Sequence, residues 1–247
     1  MTILVGVKCT DGVVIGADSM TTSTMGPQPL IQAPIADKLQ QVGSKAILAC
    51  TGSVGFAQRA KIIADEMWNK KLFTVSGMST ATTLAGRVLT DFGASMVQKH
   101  PQLGINFGAL LAMVVQDVPY LVEFDSVGFQ PELKDGNHFY VAMGSGQMLA
   151  DPFLAFVKRV LWKDKMPDVE RAKVGVFWVL KYTCGQAVGM VGGELKLGVL
   201  RKQGVDWTAS IQDTQEQGQY IDALEEQFDL DKFFHDAPAS EPPKLEK

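Results

Sequence analysis

Thr2 stands directly behind Met1, and loss of that methionine would leave one residue bearing both a hydroxyl nucleophile and a free α-amine. An α-amine titrates near about 8, so it can take the hydroxyl proton itself or through one water, and no separate histidine base is required. Such a residue attacks an acyl carbonyl and carries the acyl group as an ester. It needs a group to orient the amine, a cation to favour the neutral amine and the attacking oxygen, and N–H donors for the tetrahedral oxyanion. Asp18 and Lys38 are the right types for the first two tasks. Taken singly, Thr2 is an ordinary small second residue, Asp18 a strand-end turn residue and Lys38 a solvated strand lysine. Together they form a chemical set.

The elements around these residues decide whether they can meet. Thr2 to Lys8 is β-rich, Asp11-Gly12 is a two-residue turn signal, and Val13 to Ala17 is an unbroken apolar run. A run apolar on both faces belongs inside a covered sheet, so Asp18 arrives at the mouth of a buried strand. Residues 19–34 are rich in Thr, Ser, Gly and Pro and predict a long loop. A second hairpin joins Lys38–Val42 to Ala46–Cys50 through Gly43-Ser44. Thr51-Gly52-Ser53 then opens a helix with Phe56, Ala60, Ile63 and Met67 at helical spacing and Ser53 as its N-cap. A further helix is predicted from Ser79 to about His100, where Pro101 stops it.

Strand patterns return at 105–115, 120–124 and 138–142, the last just before Gly144-Ser145-Gly146. Helices are predicted over about 147–163, with Pro152 straining the first turns, and over about 167–183. Closing strands fall at 193–202 and 207–211, and an amphipathic helix at 214–228. Strand pairs alternating with helix pairs predict an α/β (α+β) fold with four layers, an αββα sandwich. It forms one domain over 1–212, followed by an acidic helix and tail over 213–247.

Composition fits a filled globular domain, with 46% hydrophobic and 20% charged residues among 247. No apolar stretch approaches the roughly 20 residues of a membrane span, and no cationic leader precedes the first apolar run, so a cytoplasmic protein is expected. Cys9, Cys50 and Cys184 are widely spaced in apolar company and read as buried thiols. His100, His138 and His235 lie far apart, giving no support for a metal, and no other cofactor is implied. The net charge of −4 hides ten acidic against three basic side chains over 213–247. Neither part of the chain has the dense basic patch of a nucleic-acid binder.

The block TILVGVKCTDGVVIGADSMTT, then Asp37-Lys38, then CTGSVGFAQRA, resembles a proteasome β-type N-terminal nucleophile hydrolase. It is similar to the proteasome β subunit and the bacterial peptidase HslV, over about residues 2–200. The length, acidic extension and late glycine motif look most like the bacterial proteasome homologue of β-proteobacteria. The resemblance implies that Thr2 is the nucleophile, that Asp18 and Lys38 form an inner polar network, and that the Gly52 N–H serves the oxyanion. Ser145 would help shuttle the proton of the Thr2 amine, or cap the helix after residue 146. Thr21, Ala36, Cys50 and Val54 would line the pocket for the residue before the scissile bond, with Cys50 and Val54 reading equally well as core. Thr22 would pair its backbone with the substrate as an added strand.

The implied protein is a self-compartmentalising threonine peptidase: identical subunits in a ring or stacked double ring, acting on peptides or unfolded proteins, with a ring ATPase as a possible feeder. One departure stands out. The family usually has an Asp and a Ser close to the glycine pair, whereas Val188-Gly189-Met190-Val191 precede Gly192-Gly193. That loss motivates an alternative, a catalytically impaired ring used as a scaffold or binding chamber; a small-molecule amidase on the same fold is a third reading.

Overall fold

The computed structural model describes residues 1–25, 28–33, 37–92 and 107–227. β1 (Leu4–Lys8) and β2 (Gly12–Asp18) pair antiparallel with Leu4 opposite Ala17 and Val7 opposite Val14. Every residue of β2 is buried, as its two-faced apolar pattern requires. The first sheet is completed by β10 (Tyr140–Met143) on the free edge of β1 and by β11 (Leu195–Gln203) and β12 (Asp206–Gln212) beyond β2. The second sheet runs β5 (Leu39–Val42), β6 (Ala46–Gly52), β7 (Phe107–Val115), β8 (Val118–Phe124) and β9 (Pro131–Lys134), in that order.

The alternation of side chains along these strands builds three apolar layers. Leu4, Val13 and Ile15 meet Ile47, Leu110 and Leu121 between the sheets. Ile3, Val5, Val7 and Val14 face the other way, against α3 (Gln147–Val160) and α4 (Val169–Gln186). Leu48, Leu111 and Phe124 pack under α1 (Val54–Asn69) and α2 (Gly77–Asp91). The result is the four-layer αββα sandwich expected from the element order. A final helix, α5 (Gln215–Gln227), lies beside α4, with Lys181 paired to Asp222 at 2.7 Å. No helix among the described residues is long and apolar enough to cross a membrane.

Several local expectations differ from what is found. Residues 21–25 and 28–33 form a hairpin, β3 (Thr21–Met25) and β4 (Gln28–Ala33), instead of an irregular loop. Backbone pairing there outweighs the turn-forming composition, because Thr is also a good strand residue. The helix expected from Ser79 begins earlier, at Gly77, where the Ser76 side chain accepts the Ser79 N–H; its predicted end falls outside the described residues. Ser53 occupies the N-cap position of α1 but makes no side-chain cap bond. Pro152 does not stop α3, whose buried Ala150, Leu154 and Val157 hold it through to Val160. β9 carried no alternating signal in its four residues, and its Pro131 sits on an edge strand where no ladder donor is needed.

The glycine at position 16 fixes how closely α4 approaches the strand that carries Asp18. A Cβ there would lie 2.5 Å from Val176 Cγ1 and 2.6 Å from Leu180 Cδ1. We expect Gly16→Ala to cost about 1–3 kcal/mol by overpacking, and Val176→Ala in the same chain to recover part of the loss. The midpoints of urea unfolding for the single and double variants measure this, and identical midpoints for wild type and Gly16→Ala would contradict it.

Candidate active site

Asp18 is the last residue of β2, and its side chain is fully buried at the point where four segments meet. Oδ1 accepts the Ile3 N–H at 2.9 Å and the Lys38 ammonium at 2.6 Å, while Oδ2 accepts the Gly192 N–H at 3.0 Å. A buried carboxylate with three donors is adequately compensated, where an unpaired one would not be. The Gly192 carbonyl in turn accepts from the Met20 and Ser19 N–H groups at 2.9 and 3.2 Å. The glycine pair therefore supports the inner network through its backbone, although the Asp and Ser of the family pattern are missing. Both glycines have positive φ, and a Cβ on Gly193 would stand 2.5 Å from Ser19 Oγ.

Lys38 precedes β5, and its side chain is 7% exposed. Burial lowers its pKa from the ordinary lysine value, against the raising influence of Asp18. Its Nζ also donates to the Met1 carbonyl at 3.1 Å. The Thr2 nitrogen, an amide while Met1 is attached, donates to Ser145 Oγ at 2.9 Å, and Ser145 Oγ lies 3.3 Å from the Thr2 carbonyl oxygen. Ser145 is thus engaged with Thr2 and does not cap α3, whose N-cap is Gly146. The α-amine of Met1 has its pKa lowered, first by burial and then by the Lys38 cation, with Asp18 opposing.

Two glycines let the backbone close on Thr2. Gly144 has φ +97°, and a Cβ there would lie 2.4 Å from the Thr2 carbonyl oxygen. Gly52 ends β6 with φ +96° and lines the same cavity as Thr2 and Ser145, a cleft of about 770 Å³. Thr2, Asp18, Lys38, Ser145 and Gly52 are brought to one place.

Thr21, Cys50 and Val54, expected around the residue before the scissile bond, do not line this cleft. Cys50 packs in the apolar cluster beneath α1 and α2, with its thiol pushed up to about 12 by burial, and it does not line this cleft. Val54 is about half exposed at the start of α1, and Thr21 begins β3 with its Oγ1 buried and without a hydrogen bond. Thr22 lies at a register irregularity in β3, a strand that pairs only with β4 among the described strands, which leaves its other edge available to an extended chain. Ala36 lies outside the described residues. Sequence reasoning missed the Gly192 backbone contact and the cleft walls formed by Phe56, Phe107, Glu123 and Asp125. Those walls come from three different elements and the turn after β8, and they share no sequence pattern.

The model of the proteasome subunit family matches residues 2–175 of this chain, which includes the whole Thr2 network except its Gly192 support. The chain belongs to the proteasome subunit family. No curated protein matches it significantly. A solved structure of a mutant of Anbu from Hyphomicrobium sp. strain MC1 shares the fold, with a TM-score of 0.66 and 16% sequence identity over 98% of this chain and 100% of that one.

Removing either half of the Asp18–Lys38 pair exposes how asymmetric it is. Asp18→Ala strands a buried ammonium and two backbone donors, and we expect a loss of about 3–5 kcal/mol. Lys38→Ala leaves the carboxylate with two N–H partners and should cost less. Denaturant unfolding of the two variants checks the order, and an equal or reversed order would contradict the network described.

Proposed function

We propose that the chain is an N-terminal threonine peptidase that cleaves peptides or unfolded proteins through an ester on Thr2, once Met1 has been removed. The observation that carries this reading is the meeting of the Thr2 nitrogen with Ser145 Oγ, beside the Asp18–Lys38 pair and the Gly52 end of β6, at the mouth of a cleft. Loss of Met1 turns that nitrogen into an amine and frees Lys38 from the Met1 carbonyl. The Thr2 hydroxyl then attacks the peptide carbonyl and its proton passes to the amine, directly or by way of Ser145. The oxyanion forms toward the Gly52 N–H, and collapse expels the leaving amine, which takes the proton. Water attacks the ester by the same path and releases the acyl product.

Family membership supports assembly of identical subunits into a ring or stacked double ring in the cytoplasm, with a ring ATPase as feeder. The length, acidic extension and late glycine motif support a place beside the bacterial proteasome homologue of β-proteobacteria. The intact inner network argues for a working site over an impaired scaffold.

Intact mass measured after treatment with a threonine-directed β-lactone tests the proposal. A chain lacking Met1 should gain one adduct, and a Thr2→Ala control should gain none; a trimmed chain that refuses the adduct would contradict it. The site also dictates a pH profile. The Met1 amine is pushed below its ordinary value by burial and by Lys38, and the Thr2 amine faces the same influences. Because the neutral amine is the base, kcat/KM should rise with pH through a limb lying below the ordinary α-amine value of about 7.7–8.0, and a limb above that range would contradict the assignment.

A further inference from the structure

The cleft that starts at Thr2 is larger than the nucleophile needs, and neither Cys50 nor Val54 lines it. Phe56 gives it an aromatic side above the fully buried Phe107, and Glu123 and Asp125 stand on its wall, while no Lys, Arg or His side chain among the described residues lines it. Asp125 accepts the N–H groups of Val127, Gly128 and Gln130 at 2.8, 2.6 and 2.9 Å. Burial, the largest single influence, pushes its pKa up, but the surrounding backbone N–H groups together hold it below the usual carboxylate range. Glu123 shares the Lys134 ammonium with Glu132, two carboxylates to one cation. The wall therefore keeps net negative charge.

The position of the cleft relative to the chemistry says which part of a substrate enters it. In the second sheet, β5 flanks β6 on one side, next to Lys38, and β7 and β8 flank it on the other. The cleft's lining runs from Thr2, Gly144 and Ser145 to the start of β7 at Phe107 and the end of β8 at Glu123. The expelled amine must collect its proton from the Thr2 nitrogen or Ser145, so the leaving chain departs on this side. An aromatic side with an anionic wall suits an aliphatic stem or guanidinium plane that ends in a cation.

We propose that this cleft receives the side chain immediately after the scissile bond and selects lysine or arginine there, with Asp125 and Glu123 as the specificity-determining residues. The inference rests on the threonine-peptidase reading of the same site.

Quenched peptides that differ only in the residue after one cleavable bond provide the test, with the Met1-free protein and the cut position confirmed by mass. Peptides with Lys or Arg should be cut with a kcat/KM at least about tenfold above that for Glu. Asp125→Asn, which keeps an acceptor for the Val127 and Gly128 N–H groups though not for that of Gln130, and Glu123→Gln should each shrink that ratio to about threefold or less. Equal rates for Lys and Glu, or a ratio that neither variant moves, would overturn the proposal. A β-lactone acylates Thr2 without any residue on the leaving side and so reads the nucleophile and the folding of each variant separately. Acylation without a basic preference overturns the subsite and leaves the peptidase reading standing; absence of acylation overturns both.

Discussion

A buried carboxylate at the end of a central strand sets the geometry of this molecule. Asp18 cannot remain ionised in that position without donors, and it draws them from Ile3 just before β1, from the start of the second sheet through Lys38, and from the loop before β11 through Gly192. Because those segments come from both sheets and from distant parts of the chain, satisfying one charge registers them against each other. The same bonds place a cation beside the Met1–Thr2 junction. On the peptidase reading proposed above, structural and chemical demands on Asp18 coincide, so its removal is not a purely catalytic change.

Close approach is the second constraint. Gly144 brings the end of β10 against the Thr2 carbonyl, and Gly146 donates its N–H to that carbonyl at 3.2 Å. Ile3, Leu4 and Val5 are fully buried in the middle of the sheet, so the Thr2 nitrogen is held by a strand that has no room to shift. On the peptidase reading proposed above, a nucleophile fixed in this way has little conformational entropy left to lose when substrate arrives. The cost falls on the sequence, which must supply residues without side chains at the points of contact.

Much of the framework was legible because it rests on local patterns. The apolar run of β2 gave both a covered strand and the burial of Asp18, and helical spacing in α1 and α2 gave the layer above the second sheet. The 19–34 segment misled because threonine serves turns and strands alike, and only pairing partners decide between them. Ser53 and Ser145 show the limit of cap signals: the hydroxyl is suitable at both sites, yet Ser53 makes no cap bond and Ser145 is claimed by Thr2. Cys50 reads equally well as pocket or core from its neighbours in sequence, and its packing against the residues beneath α1 and α2 appears only once β6 and the helices are assembled. The Gly192 support of Asp18 is a backbone N–H, which no side-chain pattern can announce. The cleft walls were hidden for a related reason, since Phe56, Phe107 and Glu123 become neighbours only when α1, β7 and β8 are assembled.

The central claim is that the Asp18 network holds the Thr2 hydroxyl and nitrogen ready for acyl transfer toward Gly52. A crystal structure of the Met1-free protein after β-lactone treatment tests it directly. The account predicts an ester on Thr2 Oγ, its carbonyl oxygen within hydrogen-bonding distance of the Gly52 N–H, and the Thr2 nitrogen still bonded to Ser145 Oγ. An adduct on any other residue, or an ester whose oxygen turns away from Gly52, would contradict it.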